Sequence, residues 1–471
     1  MRTLELNTKP IYIFLALLIA SVGLPFLIVK SLFTGYAFLG LAITSFLLIL
    51  LFKDYSIGFY ILFLFGSILF TIYRLVKVNI PLGVIYDSII VIMAFSLIIK
   101  VKAKGIKFDW KIKEPIVIGF ILFYGYFLVL PLVPNYATFA TWLGGSRLYL
   151  QVVLFYLFTM YFTSIKRVES FSKFTIVLAL IVAMHGLYQA IFGYLPFEWA
   201  WVTASDNRYN LYNIWGNFRT FSFLSDPSAF GLFMAYTGLF TMVLSMGPFS
   251  LKRRVFLLIS SLFILVSMSY SGTRTAYAMV VAGVAFLFVL NIDNPRILTG
   301  AIVAAIALLI IVEGPFYNAT FNRIRSTFKG SEDASMGVRD FKRKSMQPFV
   351  HRNPFGGGVN MAPVIGSGVY EEVFDPDGGY LRTAIELGWI GLMLQLLFIG
   401  LVMYTAIRNI FELKNMKLRA WCTAFAVPLF AISVAEYAQD AMLIKPVNVV
   451  IVATYALMVK FRDLDIELDN D

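Results

Sequence analysis

The chain has 471 residues, of which 59% are hydrophobic and 14% are charged. Soluble domains are typically about 45–50% apolar and about 25% charged, so this composition excludes an ordinary soluble fold and makes a lipid bilayer the natural solvent. The net charge of +12 could suggest nucleic acid, but in a membrane protein basic residues first report loop topology, and we expect no nucleic-acid partner. A single cysteine, Cys422, excludes an internal disulfide framework, and two distant histidines weaken a zinc site.

Apolar runs long enough for membrane helices begin near the first residue and recur along the whole chain. A bilayer core about 30 Å thick needs roughly 17–25 apolar residues per helix. Because the first run is one of many, we expect it to remain as a helix and not to be cleaved as a signal. Several runs are short enough to be re-entrant or interfacial. In chain order the candidates are 11–29, 32–51, 57–73, 83–99, 116–132, 148–162, 174–191, 229–244, 255–270, 275–290, 297–312, 380–407, 421–434 and 442–459.

The distribution of basic residues predicts the orientation of these helices. With the N-terminus in the cytoplasm, the cytoplasmic segments hold 22 of the 39 lysines and arginines, six of them in residues 100–113. A long outer loop, residues 313–379, holds 8, and 9 remain elsewhere. This asymmetry follows the positive-inside rule and favours both termini in the cytoplasm. We therefore predict an all-α, polytopic membrane protein with about 12–14 transmembrane helices and one large periplasmic or extracellular loop.

Two outer segments are too long to be simple connections. Residues 193–226 contain three tryptophans, which favour an interfacial aromatic belt over sugar stacking. In the loop 313–379 the basic residues precede the acidic ones, and we expect a short amphipathic helix at about residues 339–350. No internal repeat is visible, which disfavours a transporter made of two related halves. The three tryptophans are Trp199, Trp201 and Trp215.

Two arginines, Arg219 and Arg274, are predicted at the outer ends of helices. Either side chain could simply reach the water interface from its helix end. Both, however, are flanked by small or hydroxyl residues that suit a packed polar turn. Since arginine can pair with phosphate oxygens through two hydrogen bonds, the two arginines and the basic part of the loop favour an anionic ligand reached from outside.

Other polar features are less specific. Residues 375–377, Asp-Pro-Asp, could hold a divalent metal beside a nucleotide sugar, but nucleotide sugars are cytoplasmic and the charge distribution places this segment outside. The glycines 356–358 lack the Lys-Ser/Thr that follows a Walker loop, so we predict a tight turn. His185, in an apolar helix, suits a structural hydrogen bond. Glu436 and Asp440 flank the last outer loop, where we expect solvated side chains.

Five short motifs together resemble the O-antigen ligase and O-antigen polymerase superfamily of bacterial inner-membrane glycosyltransferases. Each motif is weak alone, but their order, spacing and side of the membrane agree over residues 148–407. In ligases of this family a histidine stands eleven residues before the glycine that corresponds to Gly388; here that position is Asp377, which is more similar to the polymerase branch. The motifs are His185-Gly186-Leu187-Tyr188-Gln189 with Phe192-Gly193, the run from Arg219 to Phe230 with Asp226-Pro227-Ser228, Ser271-Gly272-Thr273-Arg274, Arg339 with Asn353-Pro354-Phe355-Gly356-Gly357-Gly358, and Tyr380-Leu381 with Glu386-Leu387-Gly388-Trp389-Ile390-Gly391.

The resemblance implies polymerisation of lipid-linked oligosaccharide units on the outer face of the bacterial inner membrane. The implied donor is a glycan on undecaprenyl pyrophosphate, the acceptor is a second lipid-linked unit, and no cofactor or metal is required. The implied partners are this oligosaccharide, the lipid bilayer, a chain-length regulator and a flippase. An O-antigen ligase is the alternative within the superfamily. A polysaccharide exporter or flippase is the alternative from another class, but it should place charges along a central path at membrane depth, whereas here they cluster at outer helix ends.

This reaction indicates which residues should act. A leaving pyrophosphate needs cations, for which Arg219 and Arg274 are the catalytic candidates. The acceptor hydroxyl needs a proton acceptor, and Asp377 is the catalytic candidate, unless it only caps the helix that follows. Further candidates for substrate binding are Arg339, Arg352, Arg147, Asp226 and Tyr380.

We also expect three regions along the chain. Residues 1–147 would form N-terminal transmembrane helices. Residues 148–407 would form the ligase- or polymerase-like core, including the outer loop 313–379. Residues 408–471 would add the C-terminal transmembrane helices and a short cytoplasmic tail.

Overall fold

A computed structural model of the chain describes residues 49–76, 82–105, 110–133, 145–214, 216–292, 334–359 and 376–470, together with Leu47, Asn322 and Arg325. The helices predicted at 11–29 and 297–312 lie outside the described residues, as does most of 32–51. Much of the outer loop 313–379 also lies outside them.

Within these ranges the chain is almost entirely helical. The helices are α1 (Ser56–Val76), α2 (Leu82–Lys104), α3 (Pro115–Val129), α4 (Tyr149–Tyr161), α5 (Ile165–Phe192), α6 (Pro196–Val202), α7 (Asp206–Tyr212), α8 (Pro227–Ser245), α9 (Leu251–Ser269), α10 (Arg274–Leu290), α11 (Ala334–Arg352), α12 (Gly379–Glu412), α13 (Met416–Ala435) and α14 (Val447–Asn470). Short 3₁₀ turns, Leu130–Leu132 and Ser146–Leu148, follow α3 and precede α4. Strands β1 (Asn213–Ile214) and β2 (Asn217–Phe218) form an antiparallel hairpin with Asn213 opposite Phe218.

The predicted all-α, multi-pass membrane fold is confirmed. In the described part of the chain, seven helices are long and apolar enough to cross a membrane, by length and composition: α1, α2, α3, α5, α8, α12 and α13. Every predicted helix that falls on described residues is present, and the amphipathic helix expected at 339–350 is part of α11. The last helix begins at Val447, later than the predicted 442, because the chain turns between Ala441 and Pro446. The three-region division stays a prediction.

The chain forms two compact units, one from Met1–Phe59 and Val91–Ile106 and the other from Tyr60–Ile90 and Lys107–Asp471. In the described part of the first unit, Ser96 Oγ donates a hydrogen bond to the Leu51 carbonyl at 2.8 Å. The candidate site described below lies entirely in the second unit.

Helix α8 is the centre of the second unit, and its side chains are buried over nearly its whole length. It packs against α9, α10 and α13. Small residues allow these close approaches, because a Cβ added to Gly238 would lie 2.5 Å from a methyl carbon of Leu265. On the neighbouring α5, a Cβ added to Gly186 would lie 2.4 Å from the ring of Phe230.

Contacts at the two ends of the bundle agree with the predicted alternation of loops. At the predicted cytoplasmic end, Lys111 Nζ pairs with Asp463 at 3.2 Å. At the other end, the Gly379 N–H donates to the Glu436 carbonyl at 2.9 Å. Arg343 of α11, in the long loop, donates to the Tyr437 carbonyl at 3.2 Å, so this loop meets the predicted outer end of α13.

Candidate active site

The first motif anchors the outer segment 193–226. Gln189 Oε1 accepts hydrogen bonds from the backbone N–H groups of Phe221 and Ser222 at 3.1 and 2.8 Å, and its Nε2 donates to Glu198 Oε1 at 2.8 Å. His185 Nδ1 lies 3.3 Å from Ser222 Oγ, as expected of a structural histidine. The motif therefore fixes the segment that leads to Arg219.

A buried arginine, Arg74, supports the same segment. It is 2% exposed, and its Nη2 donates to the carbonyls of Leu224 and Ser225 at 2.5 and 2.7 Å. Its guanidinium lies over the neighbouring rings of Trp201 and Phe221, 4.6 and 4.4 Å from their centroids. Trp201 is thus a packing partner of an arginine, an arrangement that the sequence analysis missed.

The same outer segment contains two further tryptophans, Trp199 and Trp215, and a carboxylate, Glu198. Trp199 is exposed, which fits the predicted aromatic belt, while Trp215 lies outside the described residues. Glu198 is buried, and this burial raises its pKa. Hydrogen bonds from the Leu195 N–H and from Gln189, together with the charge of Arg74, act in the opposite direction. This carboxyl group therefore belongs to the scaffold of the segment.

Arg219 joins the second motif to the third. Its side chain is buried, with Nε donating to the Ser271 carbonyl at 2.8 Å and Nη2 donating to Thr273 Oγ1 at 3.1 Å. Thr273 directly precedes Arg274, the first residue of α10. The structure thus brings the two predicted catalytic arginines to one turn, although they are far apart in sequence.

Asp226, a predicted substrate-binding residue, is the N-cap of α8. Its Oδ1 accepts from the N–H groups of Ser228 and Ala229 at 2.8 and 3.0 Å, and Ser225 Oγ donates to its Oδ2 at 2.6 Å. Carboxylates are favoured at this position, especially before a proline at N1. A contact with substrate stays a prediction, and the geometry assigns Asp226 a capping role.

The fifth motif contains a break in α12. Gly388 has φ 72° and ψ 176°, a conformation essentially restricted to glycine. The turn after α11 supplies hydrogen-bond donors to carbonyls beside the break. The Gly357 N–H donates to the Ile385 carbonyl at 2.8 Å, and the Gly358 N–H donates to the Glu386 carbonyl at 3.1 Å.

The two backbones at this joint approach so closely that side chains are excluded. A Cβ on Gly388 would lie 1.9 Å from the Pro354 carbonyl oxygen, and one on Gly356 would lie 2.5 Å from the Glu386 carbonyl oxygen. Gly356 and Gly358 both have positive φ, so the predicted tight turn is confirmed. The fourth and fifth motifs therefore form one joint between the long loop and α12.

The other predicted residues of the long loop lie around this joint. Asp377 is half-buried and precedes Gly378, which is the N-cap of α12, so Asp377 stands one residue outside the capping position. The Tyr380 hydroxyl donates to the Ser433 carbonyl of α13 at 2.7 Å. Arg339 lies within α11, and Arg352 is the exposed last residue of that helix.

A cavity of about 400 Å³ opens among α2, α3, α4, α12, α14 and the segment between α13 and α14. Of the predicted site residues, Arg147 lines it. Asp377 and Tyr380 are not lining residues, but in the chain they stand two residues before and one residue after Gly379, which is one. Across the described ranges no group of three or more His, Cys, Asp and Glu is placed to hold a metal ion. The charged side chains that line the cavity are Asp87, Arg147, Arg382, Glu386, Glu436, Asp440 and Lys445.

The cavity has an acidic half, centred on Arg382. Arg382 Nε donates to Glu386 Oε1 at 3.1 Å, and its Nη1 donates to Asp440 Oδ2 at 2.6 Å. The other oxygen of Asp440, Oδ1, is buried and has no hydrogen-bond partner among the residues described here. One arginine therefore pairs with two carboxylates, and one carboxylate oxygen is buried without a partner among the described residues.

Glu436 belongs to this acidic half, and the expectation that it is solvated is wrong. It is 2% exposed, and its Oε2 accepts from the N–H groups of Ala441 and Met442 at 2.7 and 2.8 Å. Burial raises the pKa of Glu436, and the charge of Asp440 raises it further. The two backbone hydrogen bonds and the charge of Arg382 lower it by less. The chain folds back directly after Glu436 and buries it.

The cavity also has a basic half. Arg147 Nε pairs with Asp87 Oδ2 at 2.5 Å, and Lys445 Nζ lies 3.7 Å from the centroid of the Tyr86 ring. Burial lowers the pKa of Lys445 to about 8, with Asp87 raising it and Arg147 lowering it further. Two cations thus share one carboxylate, so this half carries excess positive charge.

Sequence analysis missed Arg382 and Lys445, and it named Glu386 only as part of the fifth motif. Two signals could have identified them. Arg382 and Glu386 are four residues apart on one helix, a spacing at which opposite charges meet. Charged residues at the ends of apolar helices are also candidates for function by default. Lys445 offered only the second signal.

Fold and site together define a multi-pass membrane protein with a charged cavity at one end of its bundle. Residues 255–396 match the family described as O-antigen ligase. The match over these residues confirms the resemblance drawn from the motifs and is consistent with the O-antigen ligase and polymerase superfamily, whose members are membrane glycosyltransferase-like enzymes. The matched range includes Arg274 and the α11–α12 joint, while Arg219 and the His185 motif precede it. No curated protein matches the chain.

Proposed function

We propose that this protein is a polysaccharide polymerase of the O-antigen or exopolysaccharide type. It would transfer glycan from an undecaprenyl-pyrophosphate-linked donor to a lipid-linked acceptor on the outer face of the bacterial inner membrane. The observation that carries this proposal is the cavity beside the α11–α12 joint, with an acidic and a basic half. An acceptor hydroxyl needs a base and a pyrophosphate needs cations, and the two halves offer both.

The reaction balances without a cofactor or a metal. The acceptor hydroxyl attacks the anomeric carbon of the donor, a new C–O bond forms, and the C–O bond to pyrophosphate breaks. The lipid pyrophosphate leaves with the bonding electron pair, and the hydroxyl proton passes to a carboxylate. Arg219 and Arg274, with Arg339, are our candidates for stabilising the charge on the leaving group. Their support is that Arg219 and Arg274 meet at one turn.

Two carboxylates are candidates for the proton acceptor. Asp377 stands where ligases of the family carry a histidine. It lies outside the capping position of α12, two residues before Gly379, which lines the cavity. Asp440 lines the cavity, and its Oδ1 has no hydrogen-bond partner among the described side chains and backbone. We propose Asp377 as the base, with Asp440 as the second candidate.

The proposed location is the inner membrane, with the cavity facing the periplasm. Cysteine labelling in intact cells tests the sidedness, because the native Cys422 is buried. Gln347→Cys, on an exposed position of α11, should react with an impermeant thiol reagent. Lys417→Cys, at the exposed start of α13, should react only after the membrane is permeabilised. The reverse pattern would contradict the orientation.

Surface glycan in cells that lack the protein tests the function itself. Loss of a polymerase should leave single repeat units attached to the surface. Loss of a ligase, or of an exporter, should remove the attached glycan altogether. The matched family is described as O-antigen ligase, and this description supports the ligase alternative. A chain-length regulator and a flippase remain the proposed protein partners.

Purified protein gives the second test. With lipid-linked repeat units as the only substrates, it should make longer glycans and release undecaprenyl pyrophosphate without added nucleotide. Transfer to an unrelated acceptor, with no elongation of the repeat unit, would favour the ligase.

A further inference from the structure

The proposed reaction makes an electrostatic demand that a single group of arginines does not meet. Donor and acceptor are both lipid-linked, so two pyrophosphates must be held at the same time. Arg219 and Arg274 form one cationic turn. The basic half of the cavity, formed by Arg147 and Lys445, is a second one.

The hydrogen-bonding state of this second pair indicates a ligand. Arg147 uses Nε for Asp87, and within the described part of the chain its Nη1 and Nη2 have no acceptor. Lys445 Nζ contacts the Tyr86 ring and likewise has no hydrogen-bond acceptor there. A guanidinium has five N–H donors and an ammonium has three. Lys445 is half-buried, so its ammonium is partly withdrawn from bulk water without an acceptor, whereas the Arg147 side chain is 54% exposed. An anion in the cavity would give both cations an acceptor.

The charges around the cavity restrict where an anion can lie. In the basic half, Asp87 offsets one of two cations, so one positive charge remains. In the acidic half, Arg382 faces Glu386 and Asp440, which already occupy its Nε and Nη1. A pyrophosphate is therefore attracted to one half and repelled by the other. The cavity is also lined by apolar side chains, including Ile90, Phe123, Leu154, Phe398 and Ile451, which suit a polyprenyl chain.

We propose that Arg147 and Lys445 bind the pyrophosphate of the acceptor, so that the cavity is the site of the second lipid-linked substrate. This inference rests on the proposed polymerase function. The acceptor is assigned here because the opposite, acidic half carries Asp440, which could face the hydroxyl of a sugar on the same lipid. The donor pyrophosphate, which gains charge as it leaves, is then held at the Arg219–Arg274 turn.

Binding of undecaprenyl pyrophosphate to the purified full chain tests the stoichiometry. Native mass spectrometry should detect two bound molecules per chain, while undecaprenol, which lacks phosphate, should bind weakly. Lys445→Met with Arg147→Met should reduce the count to one, and Lys445→Arg should retain two. Lys417→Met, at an exposed position far from the cavity, is the matched control and should retain two. A count of one in the unchanged protein overturns the inference.

Kinetics test the assignment to the acceptor. In elongation assays, Lys445→Met should raise the KM for a single-unit acceptor about tenfold or more, the expected loss of one charge-assisted hydrogen bond. The KM for a longer, separately prepared donor should stay unchanged. A shift in the donor KM alone, or no shift at all, overturns the assignment.

The two proposals fail in different ways. If the unchanged protein elongates glycans but Lys445→Met behaves normally, only the acceptor site is wrong. If the unchanged protein neither elongates lipid-linked units nor binds undecaprenyl pyrophosphate, the polymerase function is wrong. Misfolding is detected separately, because removal of a half-buried ammonium should not lower the thermal unfolding temperature.

Discussion

The cations of the Arg219–Arg274 turn and those of the charged cavity differ in their hydrogen-bond partners. Arg219 is buried and hydrogen-bonds to Ser271 and Thr273, so its guanidinium also joins two helical segments. Lys445 and the Nη atoms of Arg147 have no such partner in the described part of the chain. At the turn the arginine therefore stabilises the fold, whereas in the cavity the two cations line an open space.

This difference predicts different consequences of mutation. At the turn, loss of Arg219 removes a possible phosphate contact and leaves buried acceptors without donors, so activity and stability should fall together. In the cavity, loss of Lys445 removes charge that the fold does not use, so binding should change while stability does not. The proton acceptor, the arginines, the α11–α12 joint and the buried Glu436 each allow a test.

The largest expected effect is at the proton acceptor. Asp377→Asn keeps the size of the side chain but cannot accept a proton, and it should lower the elongation rate about 10²–10⁴-fold while lipid-linked substrate still binds. Because Gly378 holds the capping position, stability should change little. Asp440→Asn is the matched variant and should have a smaller effect. If Asp440→Asn abolishes elongation and Asp377→Asn does not, the roles are exchanged; if neither does, neither of these two carboxylates acts as the base.

The arginines should follow, with rate losses of roughly a hundredfold for Arg219→Lys and Arg274→Lys, since lysine keeps the charge but not the two-pronged hydrogen bonding. Arg219→Ala should in addition lower the unfolding temperature, because the Ser271 carbonyl loses its donor. Arg208→Lys is a suitable control in the same outer segment. Normal elongation by Arg219→Ala and by Arg274→Ala would contradict the phosphate role and leave Arg219 as a structural residue.

The joint between α11 and α12 should respond in stability. Gly388→Ala places a Cβ at the Pro354 carbonyl in a backbone conformation that alanine avoids, so we expect a loss of about 2 kcal/mol or more. Gly400→Ala, at a position of α12 where an added Cβ meets nothing, should be neutral or slightly stabilising. Thermal unfolding of the purified variants measures both. Equal unfolding temperatures would show that the joint does not stabilise the protein.

The sequence predicted the helices well because hydropathy alone determines which segments enter a bilayer. It also singled out the motifs around Arg219, Arg274 and Gly388, which the fold joins at one turn and at one backbone joint, while their part in catalysis stays a prediction. It could not show that Gly357 N–H meets the Ile385 carbonyl, because a contact between backbones leaves no side-chain pattern beyond the glycines themselves. The wrong expectation at Glu436 has a similar cause, since its burial comes from the turn that follows it.

The charged cavity was hidden from the sequence for a different reason. The residues that line it come from helices that are distant in the chain. The ion pair of Arg147 with Asp87, for example, joins the turn before α4 to α2. Arg74 was missed because an arginine at the end of an apolar helix ordinarily reaches water. Only the fold shows that its guanidinium lies over the rings of Trp201 and Phe221.

The smallest expected effect concerns the pH dependence contributed by Glu436. Its pKa is raised by burial above the ordinary 4.5, so between these two values the folded protein holds a proton that the unfolded chain has lost. Its contribution to stability is therefore complete below about pH 4.5 and is lost as the pH rises through the raised pKa. Glu436→Gln cannot ionise, so the unfolding temperature of the variant should gain on that of the unchanged protein as the pH rises. We expect a gain on the order of 1 kcal/mol, or roughly 2 °C, because the N–H groups of Ala441 and Met442 offset part of the burial. Glu467→Gln, at an exposed position of α14, should show no such gain. Parallel pH profiles for all three proteins would mean that Glu436 ionises as readily in the fold as in water, and the acidic half of the cavity would then carry a further full negative charge.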